Sequence, residues 1–153
     1  MGNIFNEDFR DFVLALNDAN VKYVLIGGYS VIYHGYPRTT GDLDIFVELT
    51  EKNYENLKIA FSNFGLSLFD MTENNFLNND EITVFTFGRA PVSIEIIKKI
   101  SGISFEQVYK EAINTNLDEL PIKIINLRNL IINKKASGRA KDINDIENLE
   151  NDN

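Results

Sequence analysis

Tyr23-Val24-Leu25-Ile26-Gly27-Gly28-Tyr29-Ser30, followed by Gly41-Asp42-Leu43-Asp44-Ile45-Phe46-Val47, is the stretch on which the fold turns. Tyr23 to Ile26 is a short apolar run of β-formers that halts at two glycines, which reads as a buried strand entering a tight turn. A short helix then runs through about His34, closed by Gly35 and Pro37. Leu43 to Val47 reads as a second strand. Its apolar Leu43, Ile45 and Val47 alternate with Asp42 and Asp44, so both carboxylates share the face opposite the core.

The neighbouring segments extend the pattern. Asn6 is a plausible N-cap for a helix through about Leu16, with Phe9, Phe12, Val13 and Leu16 on one face. Glu51 to Phe64 reads as a second long helix with a Tyr54, Leu57, Phe61, Phe64 stripe, which Ile59 breaks. Leu66 to Phe69 reads as a third strand, and Asn74 to Asp80 as a polar loop. Ile82 to Phe87 and Val92 to Ile97 flank Gly88-Arg89-Ala90-Pro91 as a β-hairpin. Ser104 to Ala112 is a capped helix, and Pro121 to Ile125 a short edge strand or extended segment. Leu127 to Ala136 and Ala140 to Leu149 form a helical pair around Ser137-Gly138, before a tail that frays from about residue 150. Strands interleaved with helices, without repeats or linkers, make this one α/β (α+β) domain of mixed sheet and packed helices over residues 1–153.

Composition bounds the chemistry. The chain has 153 residues, 44% hydrophobic and 25% charged, enough for one sizeable core. It has no cysteine and one histidine, so a metal must sit on carboxylates or His34. A net charge of −8 disfavours wrapping around duplex nucleic acid. No apolar run approaches the roughly 20 residues needed to cross a bilayer, and residues 1–7 lack a basic stretch before an apolar one. The expectation is a cytoplasmic protein with no membrane association. Between Pro121 and Lys141 stand six basic residues (Lys123, Arg128, Lys134, Lys135, Arg139, Lys141) and no acidic one. That run is a solvated helix face or a local anion site.

Two carboxylates held side by side repel and lose solvation unless a cation neutralises them. An oxygen-seeking divalent ion, Mg²⁺ or Mn²⁺, suits that task. Asp-x-Asp alone is equally a turn cap. Gly27-Gly28 alone is equally a tight turn, although a strand-to-helix turn also presents backbone N–H groups to a phosphate, with the Ser30 hydroxyl close by. The two together within one short span are more specific than either.

At Val24-Leu25-Ile26-Gly27-Gly28-Tyr29-Ser30-Val31 and His34-Gly35-Tyr36-Pro37-Arg38-Thr39-Thr40-Gly41-Asp42-Leu43-Asp44, the chain resembles the minimal nucleotidyltransferases of the DNA polymerase beta-like superfamily. Relatives of that type include nucleotidyltransferase toxins and drug-modifying enzymes. Leu130 to Asp145 resembles their closing helices, so the likeness covers roughly residues 21–149. It implies a third carboxylate on a later strand, for which Glu95 is the candidate where relatives carry Asp, the alternative being an edge strand with Glu95 in solvent. It implies Asp42, Asp44 and Glu95 as catalytic metal ligands for Mg²⁺ or Mn²⁺. Gly27, Gly28 and Ser30 would cradle the phosphates. Lys134 would reach toward the nucleotide, helped by Arg139 and Lys141, while Asp142 and Asp145 pair with these bases or cap the last helix. Arg38 is a phosphate ligand or a surface residue. His34 and Tyr29 read as structural.

The activity so implied is transfer of a nucleoside monophosphate from a nucleoside triphosphate to an acceptor hydroxyl of a small molecule, RNA or protein, with release of pyrophosphate. Two alternatives stay open: a weak or inactive nucleotide- or partner-binding relative, and one component of a toxin–antitoxin pair. The acceptor could be brought by a cognate protein partner or read across a homodimer.

Overall fold

The computed structural model describes residues 6–89 and 92–151. In chain order the elements are α1 (Glu7–Asp18), β1 (Tyr23–Ile26), α2 (Gly27–Tyr33), β2 (Asp42–Val47), α3 (Glu51–Phe64), α4 (Glu73–Leu77), β3 (Val84–Arg89), β4 (Val92–Ile97), α5 (Phe105–Lys110), β5 (Ile113–Leu117), β6 (Leu120–Ile124), α6 (Leu127–Ser137) and α7 (Ala140–Asn151). The strands form one mixed sheet of six, in the order β3-β4-β2-β1-β6-β5. β1 and β2 are antiparallel, β2 and β4 parallel, and β3 and β4 an antiparallel hairpin. This is the α+β architecture expected from the sequence.

Local chemistry accounts for most boundaries. The side chains of Asn6, Thr50, Ser104 and Asn126 each accept the backbone N–H three residues on, capping α1, α3, α5 and α6. Helices cover both faces of the sheet. On one face Phe61 of α3 meets Phe87 of β3 at 4.9 Å and Phe12 of α1 at 5.5 Å. On the other, Phe105 of α5 meets Phe46 of β2 at 5.1 Å. Burying such aromatic side chains contributes roughly 1.5–3 kcal/mol each. Ile59 points away from that packing and is 52% exposed.

Several elements depart from expectation. Leu66 to Phe69 is no strand. Gly65 ends α3 in the left-handed region (φ 91°), the Leu66 N–H bonds back to Phe61, and Phe69 itself has φ 49°. Leu66 and Leu68 pack against the core from irregular backbone. The polar stretch from Asn74 folds into α4 because Thr72 caps it and Phe76 is fully buried, 5.3 Å from Tyr54. The buried Lys98 ammonium secures its far end, donating to the carbonyls of Asn75 (2.7 Å) and Asn79 (2.9 Å). Strand β6 is interior, paired with β1 and β5. The true edge strand β5 enters a turn in which Asp118 and Glu119 both have positive φ. α7 continues through Asn151, past the expected start of fraying. Ala90 and Pro91 of the hairpin turn, and the last two residues of the tail, lie outside the described residues.

Candidate active-site cleft

The sheet register assembles the site. Across the parallel β2–β4 pairing, Asp42 stands opposite Ser93 and Asp44 opposite Glu95. Across β1–β2, Ile26 stands opposite Asp44, so the turn after β1 begins beside that carboxylate. Residues paired in this way share a face. Asp42, Asp44 and Glu95 therefore line one cleft of about 610 Å³, together with Gly27, Lys99, Lys134, Arg139 and Lys141.

Asp44 is the most perturbed group there. Burial, above all, pushes its carboxyl up to about 8, helped by hydrogen bonding to Glu95 and by the charges of Glu95 and Asp42, against the pull of Lys141. Its Oδ1 is buried without a hydrogen-bond donor in reach. A carboxylate beside carboxylates, with an unsatisfied oxygen, calls for a shared proton or a cation. Gly27 makes this crowding possible. Its φ is 70°, and a Cβ on it would collide with the Asp44 carboxyl. Gly28 is constrained separately, since a Cβ there would run into the Thr40 side chain.

The expected metal-ligand set is only partly gathered. Among the described residues no group of three or more His, Cys, Asp or Glu side chains is arranged to hold a metal ion as it stands. Asp42 is diverted: its Oδ1 accepts from the Ser93 hydroxyl at 2.6 Å. Sequence reasoning overlooked Ser93, although strand alternation puts it on Glu95's face and the register puts it opposite Asp42. Lys99, two residues after β4, was also overlooked.

The phosphate-cradle residues separate. Gly27 lines the cleft and Gly28 does not. Ser30 is fully buried, and its hydroxyl donates to the Gly27 carbonyl at 2.6 Å, so it braces the turn from beneath instead of facing the cleft. Arg38 is likewise committed elsewhere, gripping Asp145 through Nε (2.8 Å) and Nη2 (3.0 Å). Lys134 lines the cleft, but its ammonium lies between Asp142 (3.2 Å) and Asp145 (2.9 Å). Asp142 also accepts from the Arg139 backbone and guanidinium. Burial would raise the Asp142 carboxyl, yet the hydrogen bonds from Arg139, Ser137 and Lys134 and the Lys134 charge hold it well below the usual carboxylate range. Lys141 and Lys99 also line the cleft, and neither makes an ion pair among the described residues. His34 bonds the Ile125 carbonyl through Nε2 (2.7 Å), and Tyr29 packs edge-on against Phe9.

A family model described as "Nucleotidyl transferase of unknown function (DUF2204)" matches residues 5–153. The chain belongs to this nucleotidyl transferase family. The match spans the sheet, the carboxylate cleft and both closing helices. No curated protein matches the chain. Among the described residues no helix is long and apolar enough to cross a membrane.

Proposed function

We propose that the protein is a metal-dependent nucleotidyltransferase, moving a nucleoside monophosphate from a nucleoside triphosphate to an acceptor hydroxyl with release of pyrophosphate. The observation that carries this is Asp44: a buried carboxyl with a donorless oxygen, wedged between Glu95 and the backbone of Gly27. Such a group fits a divalent cation, which would sit on Asp44 with Asp42 and Glu95 beside it. A cation of the Mg²⁺ type takes one or two protein carboxylates and completes its shell with phosphate oxygens and water, so a closed three-acid cage is not required. Once bound, it supplies charge neutralisation for the triphosphate.

The chain's own groups do the rest. Gly27, having no side chain, lets the Asp44 carboxyl lie against the turn at the mouth of the cleft. Lys141, with Arg139 next to it, offers positive charge to the triphosphate. Ser93 fixes the rotamer of Asp42. Glu95, beside Asp44, is placed to accept the proton of the acceptor hydroxyl as its oxygen attacks the α-phosphorus. In this account Lys134 and Arg38 act through the helix pair and do not touch the nucleotide.

One observation favours a second reading, a nucleotide-binding relative without turnover: Glu95 is already engaged with Asp44 and is one methylene longer than the Asp of the relatives. Both readings require triphosphate binding. Thermal melts with Mg²⁺ and each nonhydrolysable nucleoside triphosphate test this. A rise in Tm for the parent that disappears in Asp44→Asn supports the site. No rise with any triphosphate sinks both readings.

A further inference from the structure

The cleft continues past Glu95 into a different chemistry. Val84 and Ile97 are register partners on β3 and β4, two residues on from the Thr86–Glu95 pair and on the same face. Val84 is 41% exposed, and Ile97 and Ile100 are half-buried. All three line the cleft. Single exposed aliphatic residues are ordinary, but three that line one charged cleft give it an apolar surface, here called the shelf. Lys99 lines the same cleft, exposed and without an ion pair among the described residues.

Strand order gives the shelf its direction. Gly27 follows β1 on one side of the carboxylate strands β2 and β4, and Val84 lies on β3 at the other side. In-line transfer sets the attacking oxygen and the departing pyrophosphate on opposite sides of the α-phosphorus. With the triphosphate toward Gly27 and Lys141, the acceptor approaches over β3 and β4, where Glu95 stands ready for its proton.

We propose that the Val84–Ile97–Ile100 shelf is the acceptor subsite and that it takes a nucleotide, the flat base lying on the three aliphatic side chains and the phosphate meeting Lys99. This rests on the nucleotidyltransferase reading. Apolar side chains commonly hold a single extruded base, and an unpaired cation in the same cleft suits its phosphate. Three side chains span one ring system. The net charge of −8 argues against a long polynucleotide track. The acceptor is therefore a free nucleotide or the terminal nucleotide of an RNA strand. The ribose oxygen forms a bond to the α-phosphorus of the triphosphate. The bond from that phosphorus to its bridging oxygen breaks, pyrophosphate leaves with the electron pair, and the hydroxyl proton passes to Glu95.

The test uses the full chain saturated with Mg²⁺ and a nonhydrolysable triphosphate, so that the donor side is filled. Adenosine monophosphate and a short single-stranded oligoribonucleotide are then titrated by calorimetry against the parent, Val84→Glu and Lys99→Glu. At least tenfold weaker binding in both variants, with the triphosphate-induced Tm rise unchanged, is the expected result. Equal affinity for the two probes identifies a free nucleotide as acceptor, and tighter oligonucleotide binding identifies a strand end. Probe binding that is absent in the parent, or equal in parent and variants, overturns the proposal while the Tm rise still stands for the donor site. Loss of the Tm rise in the parent removes the nucleotidyltransferase reading and the acceptor assignment with it.

Discussion

Two clusters of buried charge lie within one small domain, and they are built on opposite rules. Between α6, α7 and the loop before β2, the carboxylates of Asp142 and Asp145 meet Lys134, Arg38 and Arg139, and each acid has at least one cation at hydrogen-bond distance. Along β2 and β4, acids face acids: Asp44 lies beside Glu95, with Asp42 near and one donorless oxygen. The first cluster is complete as it stands. The second leaves one carboxylate oxygen without a partner. Buried charge is informative about function where its partner is missing.

The sharpest way to break the contrast is to remove an acid from each. Asp145→Ala strips a shared partner from Lys134 and Arg38; Lys134 keeps Asp142, and the largely buried Arg38 guanidinium is left without an acid. The expected loss is about 3–5 kcal/mol, read by urea denaturation. Asp44→Asn in the other cluster should leave the metal-free protein as stable or more stable at neutral pH. A loss comparable to that of Asp145→Ala would mean that Asp44 is structural.

A second change attacks the crowding itself. Gly27→Ala forces a side chain into the left-handed region and into the Asp44 carboxyl. We expect about 1–3 kcal/mol of destabilisation in chemical denaturation, together with loss of the Tm rise given by Mg²⁺ and triphosphate. A stable variant with ligand stabilisation intact would show that the close approach of Gly27 and Asp44 is incidental.

pH separates the clusters without mutation. The Asp44 carboxyl is raised from 3.8 to about 8 in the fold, so the folded state holds its proton more tightly than the unfolded chain. Its stabilising contribution is complete below about pH 4 and is lost as pH rises through about 8. Asp142 runs the other way: lowered in the fold, it contributes above the unfolded carboxylate range, and its contribution fades only in strong acid. Metal-free protein should therefore lose stability between about pH 4 and 8 by an amount that Asp44→Asn removes. Identical pH slopes in parent and variant would refute the raised carboxyl.

The smallest expected effect falls on Ser93. Ser93→Ala removes one hydroxyl from Asp42 and should cost about 1 kcal/mol or less in stability while weakening Mg²⁺-dependent triphosphate binding several-fold. Binding equal to the parent's would confine Ser93 to the scaffold.

How much of this was legible beforehand follows from which forces are local. β1, the turn and α3 could be read to the residue because glycines, caps and periodicity lie within the segment itself. The convergence of Glu95 on Asp44 could be anticipated only through the resemblance, since register between strands so far apart leaves no local trace. Phe69, Asn74 to Leu77 and Ile113 to Leu117 were misread or passed over. Their structure is decided by Phe76 under Tyr54, by the Lys98 ammonium and by pairing with β6, none of which a short window contains. The same holds for Ser30 and Arg38. Residue type and spacing suit both for a phosphate, yet one hydroxyl is taken by the Gly27 carbonyl and the guanidinium by Asp145.

The parallel pairing of β2 with β4 also bears on how the chain folds. The β3–β4 hairpin closes a short loop, whereas docking β4 on β2 joins positions 51 apart, as the Ser93–Asp42 bond shows. Asp44 and Glu95 are thus strangers in the unfolded chain and in any intermediate that holds only local structure. Their repulsion arises only when β4 docks on β2. The nascent chain therefore presents Asp42 and Asp44 without Glu95, and the three acids meet only in the tertiary structure.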